Sequence, residues 1–144
     1  MEALPDASLM KKKRVLFVCI ENSCRSQMAE AFARRLAPDV IDASSAGSHP
    51  SGEINPKAIQ SMRALGYDLN QQRSKSLGEI PRTKFDYVIT MGCGDECPFI
   101  PAVHHEDWDI PDPKDMPLDE FRKIRNRIRE RVEALASSIR RNCE

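Results

Sequence analysis

Apolar residues fall in short clusters separated by polar stretches that carry Gly and Pro. Val15, Leu16, Phe17 and Val18 are consecutive and end at Cys19, which predicts a strand over residues 13–19 buried on both faces. A segment rich in Ala, Met, Glu and Arg follows, with Pro38 behind it, and predicts a helix over 26–37. Residues 40–46 read as a second strand ending at Gly47. Pro56 suits a first helical turn and Gly66 a helix end, so a helix is expected over 57–65. A short helical turn is possible over 77–80. "FDYVITM", residues 85–91, predicts a third strand, and 102–107 a short fourth. In the last segment Leu118, Phe121, Ile124, Ile128, Val132, Leu135 and Ile139 recur at steps of three and four, the stripe of an amphipathic helix. Its other face carries seven arginines and Lys123, which read as a solvated face. Strands alternate with helices. The expected class is therefore α/β, a central four-stranded parallel sheet flanked by helices.

Length and charge narrow the function. A chain of 144 residues suits one domain and buries about 68–70% of its unfolded surface. Residues 11–144 are expected to form that domain, with 1–10 a disordered extension. Basic and acidic residues number 22 each, so no global field favours nucleic acid or an anionic membrane. The opening "MEALPDASLMKKKR" lacks a cleavage site after its short apolar run, and no run is long enough to span a bilayer. A cytoplasmic location is expected. The five cysteines are Cys19, Cys24, Cys93, Cys97 and Cys143. An odd count without a secretion signal argues for core thiols, metal ligands or redox catalysts rather than a disulfide framework.

The candidate chemistry lies where the first strand turns into the first helix. In parallel α/β sheets that is the ligand-binding end. The backbone N–H groups of Glu21, Asn22, Ser23, Cys24 and Arg25 are expected to converge on one concavity at the positive end of the helix. The Arg25 guanidinium adds a planar fork for two oxygens of a tetrahedral anion. The same field, with a hydroxyl from Ser26, favours the thiolate of Cys19, since such settings lower a cysteine pKa from ~8.5 to roughly 3.5–7.5. The expected site holds an oxyanion and presents a nucleophile to its central atom.

"VLFVCIENSCRSQMAEAF" resembles the phosphate-binding loop and first helix of the low-molecular-weight protein tyrosine phosphatase superfamily. Its "SCRSQMAE" portion is similar to the arsenate reductases built on that fold. The resemblance extends through "SAG", "NPKAI", "MGCGDECP" and "DWDIPDP". It implies the low-molecular-weight phosphatase fold, with Cys19 as nucleophile and Asp112 as general acid. It also implies that Cys93 and Cys97 form a redox relay with Cys19. Hydrolysis moves no electrons, whereas reducing arsenate to arsenite takes two, which thiols supply by becoming a disulfide. No tightly bound cofactor is implied, only an external thiol reductant: thioredoxin, or a low-molecular-weight thiol system. The short spacing in "MGCGDECP" is similar to that of reductases using mycothiol or related thiols. Cys24 matches a loop cysteine common to both branches. Some relatives bind potassium near the positions of Asn22, Glu30 and Ser45. Here Lys75 falls in that neighbourhood, and its ammonium would stand in for the ion.

Other readings stay open at this level. Cys93 and Cys97 have a spacing that zinc accepts, with His104 and His105 as partners, but adjacent strand residues point to opposite faces. Both could be inert, although "GCGDEC" is polar and turn-like. The chain could be a tyrosine phosphatase using Cys19, Arg25, Ser26 and Asp112. It could also be a non-catalytic oxyanion-binding redox module. Aromatic residues are 6% of the chain and the acid loop "IPDPKDMP" has no tyrosine, so an aromatic-walled slot for phosphotyrosine is poorly supplied.

Overall fold

The computed structural model describes residues 12–80, 84–92 and 99–142. Strand β1, Lys13–Cys19, holds the centre of the sheet. Strands β2, Ile41–Gly47, and β3, Phe85–Thr90, pair with it in parallel along its two edges, and its apolar run is buried on both faces, Val15 and Phe17 in one core cluster and Leu16 and Val18 in another. Strand β4, Ala102–Asp107, pairs in parallel with β3 and forms an edge, giving the order β2-β1-β3-β4. All four strands run the same way, as the sequence pattern predicts, so their carboxyl ends share one rim. Cys19 lies on that rim beside Gly47.

Among the described residues three α-helices accompany the sheet: α1, Arg25–Leu36; α2, Pro56–Arg63; and α3, Leu118–Asn142. Helix α3 turns Phe121, Ile128, Val132, Leu135 and Ile139 inward. They join Met28 and Phe32 of α1 and Phe17 and Ile89 of the sheet in the larger core cluster. The smaller cluster, with Leu16, Val18, Ala46, Phe85 and Val88, is closed partly by Leu77 and Ile80 from a 3-10 turn at Leu77–Glu79.

Element ends follow local chemistry. Helix α1 starts one residue before its predicted first position and α2 starts at Pro56 itself, with Asn55 Oδ1 accepting from the Lys57 N–H at 2.8 Å. The end of α2 is a Schellman pairing. The Tyr67 N–H reaches Met62 O at 3.0 Å and the Gly66 N–H reaches Arg63 O at 2.8 Å, with Gly66 at φ 85°. A second 3-10 turn, Leu69–Gln71, is not anticipated by the hydrophobic pattern; Asp68 caps it by accepting from the Asn70 N–H. Residues 1–10 and Cys143 lie outside the described residues.

Candidate active site

The turn between β1 and α1 is held open by one asparagine. Asn22 has φ 51° and is fully buried. The left-handed conformation is one Asn tolerates better than most residues. Its side chain spends all its polar capacity inside the loop. Nδ2 donates to Ser26 Oγ at 2.7 Å and to Ser45 Oγ at 3.0 Å. Oδ1 accepts from Gln27 Nε2 at 2.9 Å and from the Lys75 N–H at 2.9 Å. The Glu21 carbonyl is pinned from outside by the Ser51 N–H and by Ser74 Oγ. Gly47 is required by the same closeness, because a Cβ there would lie 2.5 Å from Ile20 O and 2.9 Å from Asn22 N.

This scaffold leaves donors free. Among the described residues, the backbone N–H groups of Glu21, Asn22, Ser23 and Cys24 have no acceptor, and no side chain caps the N-terminus of α1. Four successive unpaired amides at the positive end of a 12-residue helix are a donor set of the kind that can bind an anion. Cys19, which ends β1 just before them, is 2% exposed, with Sγ 2.9 Å from Ser26 Oγ, either group being able to donate.

Arg25 connects this loop to the one that follows β4. Its Nη1 donates to the carbonyls of Met91 and, at 2.9 Å, of Ile110. A guanidinium has five N–H donors, so two are committed to positioning and the rest remain for ligand and neighbours. Nη2 stands 3.8 Å from Asp112 Oδ2. Asp112 Oδ1 accepts from the Lys114 N–H at 3.1 Å, and the carboxylate is partly exposed at the rim. Gly92, at φ 77°, passes so close that an added Cβ would be 3.3 Å from Ile110 O. A thiol, a cationic fork and a carboxyl group thus converge from β1, α1 and the loop before α3.

Behind the loop runs a buried polar chain. Ser45 Oγ bridges from Asn22 to Glu30, donating to Oε1 at 2.5 Å. Glu30 is 2% exposed and meets Arg34 Nη2 at 2.8 Å and Lys75 Nζ at 3.6 Å. The neighbourhood where the resemblance implies potassium therefore already contains an ammonium group. Among the described residues no three His, Cys, Asp or Glu side chains converge as metal ligands.

Of the residues singled out in the sequence, Cys19, Glu21, Asn22, Ser23, Cys24, Arg25, Ser26 and Asp112 are brought into this one region. Cys93 and Cys97 lie outside the described residues. Cys24 is buried, and desolvation first of all pushes its thiol up from 9.0 to about 12. It is a neutral thiol near pH 7 and supports the loop rather than attacking. His104 stacks on Tyr87 and His105 on Phe99, on opposite faces of β4. Sequence reading missed Gln27, which donates to Asn22 Oδ1, Asn22 O and Arg73 O and so fastens the loop to residues 72–75. It also missed Gly47 and Ser74. The only available signal was a buried amide one position after the Arg-Ser pair, which a helix pattern does not distinguish.

Known proteins are similar to this chain over most of its length. The family model for low molecular weight phosphotyrosine protein phosphatase matches residues 14–144. A glutaredoxin arsenate reductase of Synechocystis is 39% identical over 130 residues, covering 88% of this chain and 98% of its own length. An arsenate reductase of Staphylococcus epidermidis is 36% identical, covering 87% and 97%. A solved arsenate reductase in its phosphate-binding state superimposes with a TM-score of 0.79 at 39% identity, covering 88% of this chain and 98% of that one. The thioredoxin-dependent arsenate reductase of Corynebacterium glutamicum gives 0.74 at 32%, covering 96% and 68%. A loop of free amides around a buried cysteine, an arginine at the helix start and an aspartate facing it are thus set in a fold matched over nearly its whole length, and the chain belongs to the low molecular weight phosphotyrosine protein phosphatase family.

Proposed function

We propose that this protein reduces arsenate to arsenite, using Cys19 as nucleophile and Cys93 and Cys97 as the source of electrons. The observation that carries the reading is the set of free amides over Cys19, matched to relatives named arsenate reductase along almost their whole length. Arsenate seats in the 19–25 loop against the amides and Arg25. The Cys19 thiolate attacks arsenic and one oxygen departs as water, Asp112 supplying a proton. Ser26 Oγ, at 2.9 Å from the sulfur, orients it. The Cys93 thiolate then attacks the Cys19 sulfur. The sulfur–arsenic bonding pair goes to arsenic, which leaves as arsenite, two electrons richer. Cys97 attacks Cys93, releases Cys19 as thiolate and leaves a Cys93–Cys97 disulfide. The roles of Cys93 and Cys97 rest on the family resemblance and on their number in the sequence. A cytoplasmic dithiol or low-molecular-weight thiol returns the pair to the reduced state; relatives named for glutaredoxin and thioredoxin support that class of partner.

Substituting C93S or C97S should abolish arsenite production while leaving hydrolysis of an aryl phosphate within about three-fold. C19S should abolish both. Parallel loss of both activities in C93S would contradict the relay. Turnover needs no added potassium in this reading, because Lys75 supplies the cation beside Glu30. Replacing sodium by potassium should change wild-type rates by less than two-fold, and K75M should slow the reaction unless potassium is present. A potassium requirement in the wild type would contradict it.

The same loop would also serve a phosphatase. Among the described residues no aromatic wall supports that as the main activity: Trp108 is packed on Phe17 and Tyr67 on Phe32, both against the core cluster.

A further inference from the structure

Two ion pairs join the 19–25 loop to the loop before α3. One is Arg25 with Asp112, Nη2 to Oδ2 at 3.8 Å. The other is Glu21 with Lys114, Oε2 to Nζ at 2.9 Å. The second lies at the surface, where both side chains are more than a third exposed. Both partners are fixed through their backbones. The Glu21 carbonyl accepts two hydrogen bonds, from Ser51 and Ser74. The Lys114 N–H is bonded to Asp112 Oδ1, and Lys57 Nζ reaches the carbonyls of Lys114 and Met116 at 3.4 and 2.6 Å. The hydrogen bond to Glu21, and then its negative charge, raise the Lys114 pKa, so the ammonium stays charged through the neutral range.

Chemistry places the leaving oxygen beside Asp112, since that carboxyl group is the one facing Arg25 across the anion loop. Any organic group carried on that oxygen must pass out next to Asp112 and therefore next to Lys114. A bare tetrahedral oxyanion carries nothing there. We infer that the Glu21–Lys114 ion pair is a selectivity strap, closing one side of the site's mouth so that it accepts an unsubstituted oxyanion and disfavours phosphate esters. The inference rests on the reading of the 19–25 loop as an oxyanion site. It gives that reading a substrate class: free arsenate or phosphate in preference to aryl or peptidyl phosphates. Glu21 and Lys114 act here through the shape and charge of the opening and take no part in bond making.

Equilibrium binding separates the alternatives without requiring turnover. Orthophosphate and phenylphosphonate are titrated calorimetrically into wild-type protein, K114M, K114E and the charge swap E21K/K114E. Both ligands are anions of similar charge, so the ratio of their dissociation constants cancels the general loss of positive charge. The expected result is a preference for orthophosphate in the wild type. That preference should fall about two- to five-fold in K114M. In K114E, where like charges repel, it should fall at least five-fold. The swapped pair should return it to within two-fold of wild type. An unchanged ratio in K114E, or a swap that behaves like K114E, would overturn the inference while leaving the oxyanion site intact. Failure of wild-type protein to bind orthophosphate would overturn the oxyanion reading, and the strap with it.

Discussion

Asn22 and Gly47 do the shaping work at the scale of single residues. Asn22 satisfies two buried hydroxyls and receives two N–H donors, so N22A leaves several buried groups unpaired. Its expected cost is about 1–3 kcal/mol of stability, measurable by urea unfolding, together with loss of phosphate affinity. Gly47 faces the backbone of the loop, and even alanine would need Ile20 and Asn22 to move. G47A is expected to fold, because β2 remains paired, yet to bind orthophosphate at least ten-fold more weakly. Unchanged affinity would show that the loop's close packing does not set its shape. Cys24 makes a pH prediction. Its folded pKa, about 12, is above the ordinary 9.0 because burial disfavours the thiolate. The folded state holds this proton more tightly, so the contribution is fully present below about pH 9 and is lost as pH rises from there through about 12. Stability of C24A should therefore fall less steeply than wild type over that window. Identical alkaline limbs would contradict the burial of this thiol.

At the scale of elements, what was legible depended on periodicity. The four strands and the long helix α3 agree with the hydrophobic pattern to within one to three residues at their ends, because each presents a distinct run or stripe. Strand β4 is mostly exposed, with Val103, His104, His105, Glu106 and Asp107 facing solvent, and its regularity comes from pairing with β3. The turn at Leu69–Gln71 was hidden because three residues carry no period, and its Asp68 cap looks like any polar loop residue. The site was legible where chemistry is local: Cys19, Arg25 and Ser26 are near neighbours in sequence. Asp112 was reached through family resemblance. Gln27 and Ser74 act across 40 residues or more of chain, which no local pattern records. Helix α3 closes the core over α1, and Ile128 is fully buried at its middle. I128A should cost about 2–5 kcal/mol in chemical denaturation while leaving phosphate affinity of the folded protein unchanged, since no α3 side chain reaches the 19–25 loop in the hydrogen-bond network described above.

At the scale of the whole molecule, the sheet brings several loops to one rim. A parallel sheet brings every strand's carboxyl end to the same rim, and the central strand β1 ends there at Cys19. Arg25 ties that rim to the chain after β3 and β4 through the carbonyls of Met91 and Ile110. Cys93 follows Met91 by two positions in sequence, so the arginine proposed to bind the oxyanion also anchors the backbone leading to the proposed electron source. The central claim is that electrons for arsenate come from this chain's own thiols in a fixed order. Fully reduced protein, mixed with one equivalent of arsenate without external reductant, then alkylated and mapped by mass spectrometry, tests it directly. One arsenite per protein with a Cys93–Cys97 disulfide and alkylatable Cys19 is the expected result; arsenite formed with Cys93 and Cys97 both still reduced, or no arsenite at all, would contradict it.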